Sequence, residues 1–207
     1  MSKVKLVWAT PDGERLIAHM ARVSNPTNQG LDKPYEKLVQ YLIKHNHWSP
    51  FEMVNVCMEI ETTRDIARQM LRHRSFSFQE FSQRYAVADG YEYSEARWQD
   101  HENRQNSIPI QDKNHQEWWR MMQERIIKEC KLVYGRAIEH GIAKEVARKL
   151  LPEGLITSKM YMNGTLRSWI HYVQIRTDEA TQKEHRDVAL QAKEIISNEF
   201  PLIKEYL

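Results

Sequence analysis

The chain has 207 residues, 41% hydrophobic and 28% charged, with seven Gly and seven Pro, a composition that fits one globular domain and excludes collagen-like and low-complexity architectures. Thirty Lys and Arg against 28 Asp and Glu leave a formal charge of +2, which argues against a protein whose main task is coating nucleic acid. Two cysteines, Cys57 and Cys130, are too few for a disulfide framework or a Cys-rich zinc site and point to a reducing cytoplasm.

No apolar run approaches the roughly 18–20 residues that a membrane span needs. The start turns polar by Pro11-Asp12, which is not the pattern of a signal peptide. Residues 3–9 predict a short strand, and Pro11-Asp12-Gly13 a turn. Residues 14–23 predict a helix with Leu16, Ile17, Met20 and Ala21 on one face; residues 34–45 predict a second, striped by Leu38, Leu42 and Ile43. His47-Trp48-Ser49-Pro50 breaks it. Residues 51–62 predict a strand with Val54, Val56, Met58 and Ile60 on one face and Phe51, Met53, Asn55 and Cys57 on the other. Thr62 or Thr63 then caps a helix reaching residue 74. Residues 86–112 are polar and aromatic without a period and read as a long irregular excursion. Helices follow over 113–139, 144–151, from after Asn163-Gly164 to 176, and over 178–198. The sum is an α+β protein, a small antiparallel sheet packed with long helices in one domain over residues 1–207.

The segment from Gln69 to Tyr85 is the most unusual. Gln69, Arg72 and His73 are predicted to share a helix face, and hydroxyl, aromatic and charged residues then alternate through Ser75, Ser77, Glu80, Ser82 and Arg84. Guanidinium forks and hydroxyls suit a phosphate ester. Glu80 would balance those charges or take ribose hydroxyls. The alternative is a surface ion-pair network of Arg72, Arg74 and Glu80. Arg148, ahead of the helix-ending Pro152, reads by itself as a surface residue. Between 163 and 178, Arg167, His171, Gln174 and Asp178 share a polar face. Arg176 lies on the opposite face with Trp169, Tyr172 and Val173: either its stem snorkels past the core or it meets a negatively charged ligand. No metal site is expected, since His45 and His47 are two apart and no His-Glu-x-x-His spacing occurs.

Five segments together resemble the flavin-dependent thymidylate synthases, a family unrelated to the cysteine-dependent enzymes. Its Arg-His-Arg triplet and following Ser-x-Arg stand here as Arg72-His73-Arg74 and Ser82-Gln83-Arg84. His47-Trp48-Ser49-Pro50-Phe51-Glu52 and Ala21-Arg22-Val23-Ser24 resemble its upstream motifs, and residues 147–152 and 166–178 its downstream ones. The resemblance implies reductive methylation of dUMP, with FAD as cofactor, methylenetetrahydrofolate as carbon donor, NAD(P)H as reductant and no protein nucleophile. By position, Gln69, Arg72, Glu80, Phe81, Ser82, Gln83, Arg84 and Arg148 would bind dUMP. Arg176 would be catalytic, set against the uracil. Ser24, His47, Ser49, Arg72, His73, Arg74, Ser75, Glu80, Thr165, Arg167 and His171 would line the FAD site. A cytoplasmic homotetramer with shared active sites is implied, without nucleic-acid or membrane partners. Gln79 and His171 depart from the Asn common at their positions. A flavin- and nucleotide-binding relative lacking methyl transfer, and a helical nucleic-acid-binding protein using Arg72, Arg74 and Arg84, are the alternative readings.

Overall fold

The computed structural model describes residues 2–207. Its centre is a four-stranded antiparallel sheet, ordered β1 (Lys3–Ala9), β2 (Asn55–Thr63), β6 (Thr157–Thr165) and β3 (Phe76–Glu80). The pairing of β2 with β6 is unbroken, from Asn55 opposite Thr165 to Thr63 opposite Thr157. Strand alternation buries Val56, Met58, Ile60, Met160 and Met162 on one face. The other face carries Glu59, Glu61, Lys159 and Tyr161, tied by Lys159 to both glutamates and by Tyr161 to Glu59. This is the pattern of an antiparallel sheet covered on one side.

The covering layer is helical. α1 (Gly13–Ala21) and α2 (Glu36–Lys44) pack at one end through Ile17, Val39, Leu42 and Ile43. α3 (Arg64–Met70), α6 (Leu166–Arg176) and α7 (Lys183–Glu199) bury Ile66, Met70, Trp169, Tyr172, Val188 and Ile196 in the same core. Trp169 also satisfies its indole, donating Nε1–H to the carbonyl of Val56 at 3.0 Å. α4 (Lys113–Glu139) buries only Gln123, Ile127 and Tyr134, and leaves Trp118, Met121, Ile126 and Leu132 exposed. No helix among the described residues is long and apolar enough to cross a membrane.

The α+β class and the sheet-plus-helices architecture match the expectation; several boundaries do not. The strand expected over 51–62 starts at Asn55, because Pro50 lacks an N–H and fixes its φ; Ser49–Met53 forms a 3-10 turn instead. Phe51 is thereby turned into the core, 5.4 Å ring to ring from Trp48, while Met53 is exposed. The helix expected to reach residue 74 stops at Met70. Tight bonds from Arg72 N to Gln69 O and from His73 N to Met70 O turn the chain into β3, a strand not anticipated. β6 was likewise missed. α7 starts at Lys183 rather than 178, since the Asp178 carboxylate accepts from Ala180 N at 2.8 Å and holds a turn there. The helix expected over 144–151 is the short α5 (Lys144–Ala147) followed by a 3-10 turn, Arg148–Leu150.

Residues 86–112 are not wholly irregular. They contain a small hairpin, β4 (Arg97–Gln99) with β5 (Ser107–Pro109). Two α4 glutamines clamp the segment: Gln123 accepts from Ser94 N at 2.8 Å and donates to Ser94 O at 3.0 Å, and Gln116 does the same at Ala96 N and O, both at 2.9 Å.

Gly164 sits opposite Phe76 in the ladder, where a Cβ would stand 2.4 Å from the Phe76 ring. That ring is wedged edge-on against Trp169 at 4.9 Å. Gly164→Ala is therefore expected to destabilise by about 1–3 kcal/mol through overpacking, read as a lowered urea midpoint at unchanged m-value.

Candidate functional site

The turn between α3 and β3 exposes Arg72, Arg74 and Ser75 and half-buries His73. Thus Gln69, Arg72 and His73 do not share one helix face, because the helix ends at Met70, although Gln69 and His73 both lie beside His185. His73 points to the C-terminus of α6, where Arg176 donates Nε–H to His73 Nε2 at 2.9 Å. Arg176 is held on the apolar face beside buried Trp169, Tyr172 and Val173, as its position predicted. Among the described residues its guanidinium meets no carboxylate. Its hydrogen-bond partner among them is the ring of His73.

Burial, with the charges of Arg176, His171 and Arg72 nearby, lowers His73 from the usual 6.5 to about 4. A protonated His73 has no lone pair for Arg176 to donate into, so this bond requires the neutral form. Behind it, Tyr172 packs edge-on at 5.0 Å. The fully buried His185 lies 3.1 Å from the Tyr172 hydroxyl and 3.2 Å from Gln69 Oε1. His185 is lowered to about 3 by burial and by the Arg176 charge, and burial pushes the Tyr172 hydroxyl up, so it remains a donor.

Both histidines take up protons near 6.5 when unfolded and only near 4 or 3 when folded. Protonation therefore favours the unfolded chain below 6.5. Stability is expected to be flat through these groups above pH 6.5 and to fall as pH drops from 6.5 to 4, by several degrees of Tm in a buffer series at constant ionic strength.

Around the corner of α6, Thr165 caps the helix, accepting from Ser168 N at 3.2 Å. Glu52 grips this junction, accepting from Thr165 Oγ1 and from Arg167 Nη1, both at 2.8 Å. Ser75, Arg167 and His171 line a cavity of about 450 Å³ with Asn46, Trp48, Glu52 and Gln174. The polar face predicted for Arg167, His171 and Gln174 is thus one wall of a cavity. His47 and Ser49 line a different one, about 550 Å³, with Met20, Val23 and Pro50. Segment 46–53 separates the two. Ser24 is exposed next to Val23 and lines neither.

The remaining candidates lie past the far end of β3, about 16 Å from its start at roughly 3.3 Å per residue. Arg84 meets the Glu145 carboxylate at 3.4 Å, and Arg148 donates to the Glu145 carbonyl at 3.3 Å, so both guanidiniums gather at one residue. Ser82 Oγ accepts from Arg84 N at 3.3 Å. Gln83 is buried, and its Nε2 has no hydrogen-bond partner among the described residues. It shares a cavity of about 420 Å³ with Arg64, Arg68, Arg148 and Lys149. Phe81 lines another cavity with Tyr91 and Lys159. Glu80 accepts from Ser158 Oγ at 2.7 Å and pairs with Arg64 at 3.4 Å. The alternative network of Arg72, Arg74 and Glu80 does not form.

The sequence placed Glu52 in a motif and Tyr172 beside Arg176 without assigning either a role, and gave no sign of Glu145 or His185, which the structure sets against candidate residues. Burial pushes the Cys57 thiol up, and likewise Cys130, the opposite of what a nucleophilic thiolate needs.

The family model described as thymidylate synthase complementing protein matches residues 5–202. A probable flavin-dependent thymidylate synthase of Paramecium bursaria Chlorella virus 1 is 50% identical over 94% of this chain and 90% of its own. The flavin-dependent thymidylate synthase of a Synechocystis strain is 50% identical over 94% and 88%. In fold, the chain is similar to a UMP/dUMP methylase from Streptomyces cacaoi crystallised with 5-Br dUMP, at a TM-score of 0.85 and 24% identity, covering 100% of this chain and 94% of that one.

Proposed function

This chain belongs to the family of flavin-dependent thymidylate synthases, and from that premise we propose its reaction and how its residues divide the work. The reaction is the reductive methylation of dUMP to dTMP. Methylenetetrahydrofolate donates the carbon and becomes tetrahydrofolate, and NAD(P)H supplies the reducing electrons. The observation that carries this reading is Arg176, a half-buried guanidinium held by a neutral imidazole and free of any carboxylate among the described residues. A positive charge so placed stabilises an electron-rich pyrimidine and raises the nucleophilicity of C5.

Arg84, Arg148 and Ser82 hold the nucleotide phosphate, and Gln83 adds its unpartnered amide. Gln69, Arg72, Glu80 and Phe81 complete the dUMP set. The donor chemistry on the other side of α6 fits FAD: a guanidinium, hydroxyls and an imidazole near a helix N-terminus suit a pyrophosphate, and Trp48 and Ile170 offer apolar surface to a ring. Ser75, Thr165, Arg167 and His171 hold it there, with Arg72, His73 and Arg74 along the adjoining turn, His47 and Ser49 on the far side of segment 46–53, and Ser24 beyond it. When bound, the flavin supplies hydride transfer; the protein orients the partners and keeps His73 uncharged beside Arg176.

One chain spreads these groups along both ends of β3. A cytoplasmic homotetramer sharing its active sites would assemble them, and the exposed apolar residues Trp118, Met121 and Leu132 of α4 give it a surface to bury. Sedimentation at concentrations where the protein is active is expected to give four copies; an active monomer would remove the sharing.

The test of the function is the visible spectrum with and without dUMP. A flavin band at about 450 nm, perturbed by dUMP, is the expected result. A protein that neither contains nor binds FAD overturns the reading.

A further inference from the structure

On the reading that Gln69 contacts dUMP, we propose that His185 is a positioning residue that fixes the side-chain amide of Gln69 and so sets the hydrogen-bonding edge it presents to the nucleotide. His185 lies outside every motif that carries the family resemblance. The geometry that singles it out is a chain of polar side chains that runs from the surface at Gln182 to the buried His185 and Tyr172, its direction set by a carboxylate.

Glu184 is the starting point. Its carboxylate only accepts, taking one bond from Arg97 Nη2 at 2.6 Å and another from Gln182 Nε2 at 3.1 Å. Gln182 must then turn its Oε1 outward, where Gln69 Nε2 donates at 2.7 Å. Gln69 Oε1 is left facing His185 Nδ1 at 3.2 Å, so that nitrogen carries the ring proton. His185 Nε2 is left with a lone pair, and Tyr172 donates its hydroxyl proton to it at 3.1 Å. Every bond follows from the one before it, and the neutral imidazole turns an acceptor on one side into a donor on the other.

The consequence for the site is orientational. Gln69 is only half-buried, and its amide retains one N–H and one lone pair for a ligand. Two anchors, Gln182 on its nitrogen and His185 on its oxygen, stop the terminal torsion from turning. An apolar residue at 185 would leave Gln69 with one anchor and free rotation about it. His185 also joins Gln69 to Tyr172, which packs edge-on against His73, the partner of Arg176.

The experiment uses the full-length holoenzyme. Long-range proton–nitrogen correlation on 15N-labelled protein reads the ring tautomer, and the expected signature for His185 is protonation at Nδ1 alone, the form disfavoured in free histidine. His185→Ile combined with Tyr172→Phe removes the bridge without orphaning the hydroxyl. It is expected to keep its flavin and its Tm while raising KM for dUMP roughly tenfold, the order of one lost hydrogen bond, with kcat little changed. His185→Asn returns a donor at the place of Nδ1 and is expected to recover most of the loss. A ring protonated at Nε2, an unchanged KM in the double variant, or equal losses in Tm and in both kinetic constants without rescue by Asn overturns the proposal. Failure of the wild-type protein to bind flavin or dUMP overturns the functional reading beneath it; an intact wild type with an indifferent double variant overturns the role of His185 alone.

Discussion

Arg176→Ala is expected to abolish turnover while leaving the flavin bound. The side chain anchors through Nε alone, to His73 at 2.9 Å, so the rest of the guanidinium fork is free for substrate. No acid among the described residues neutralises it, and the buried apolar side chains of α6 beside it leave it only half-exposed to screening by water. A single preorganised charge in such a place is worth on the order of a hundred- to a thousandfold in rate. The flavin band should survive, because Arg167 and His171, the cofactor candidates on α6, lie on the other face of the helix. Arg176→Lys should recover little. A lysine keeps the charge, but an ammonium on a flexible stem cannot reproduce a fork anchored at its inner nitrogen. Loss of flavin in proportion to activity would contradict the assignment.

The second large effect is expected on binding. Arg84→Ala and Arg148→Ala should each weaken dUMP by about 10- to 100-fold, the worth of a hydrogen bond to a charged group at roughly 1.5–3 kcal/mol. Both guanidiniums converge on Glu145, Arg84 on its carboxylate and Arg148 on its carbonyl. Glu145 thereby holds two cations close together, ready for one dianion. kcat at saturating dUMP should change far less than KM, because the phosphate is remote from the reacting carbon. Titration of the flavin spectrum with dUMP gives the dissociation constants; unchanged values would move the phosphate site elsewhere.

The chemistry-bearing residues were more legible than the strands that carry them. β3 hid inside the donor-rich run: Phe76 and Phe78 alternate as a strand requires, but Ser77 between them and Glu80 after them read as part of a run suited to a phosphate ester. β6 contains Lys159, Asn163 and Gly164, which lower strand propensity; it forms because β2 and β3 pair with it from both sides, a context no local window contains. The helices α1 and α2 and the full extent of α4 were visible in the sequence, and Ile17, Leu42 and Ile43 of the predicted stripes are buried, but the fully buried Ala18 and Val39 were not among them. Arg176 was legible as a misplaced charge, whereas its neutral partner was not, since His73 and Arg176 are 103 residues apart. His185 gave no signal at all, because a lone histidine in a helical pattern says nothing about what lies on either side of its ring.

The two glutamine clamps on α4 make the hairpin segment a graft point. Each uses a neutral amide to complete a backbone N–H and C=O as a neighbouring strand would, so these two contacts depend on neither ionic strength nor pH, unlike the ion pairs Arg97–Glu184 and Lys183–Glu95 at the base of the hairpin. Beyond the clamps, the tip closes on itself: Asp100 accepts from Glu102 N, Asn103 N and Asn106 Nδ2. A tip that supplies its own bonds, hung from brackets that ignore its sequence, is a place where residues can be gained, lost or exchanged without disturbing the sheet that carries the chemistry.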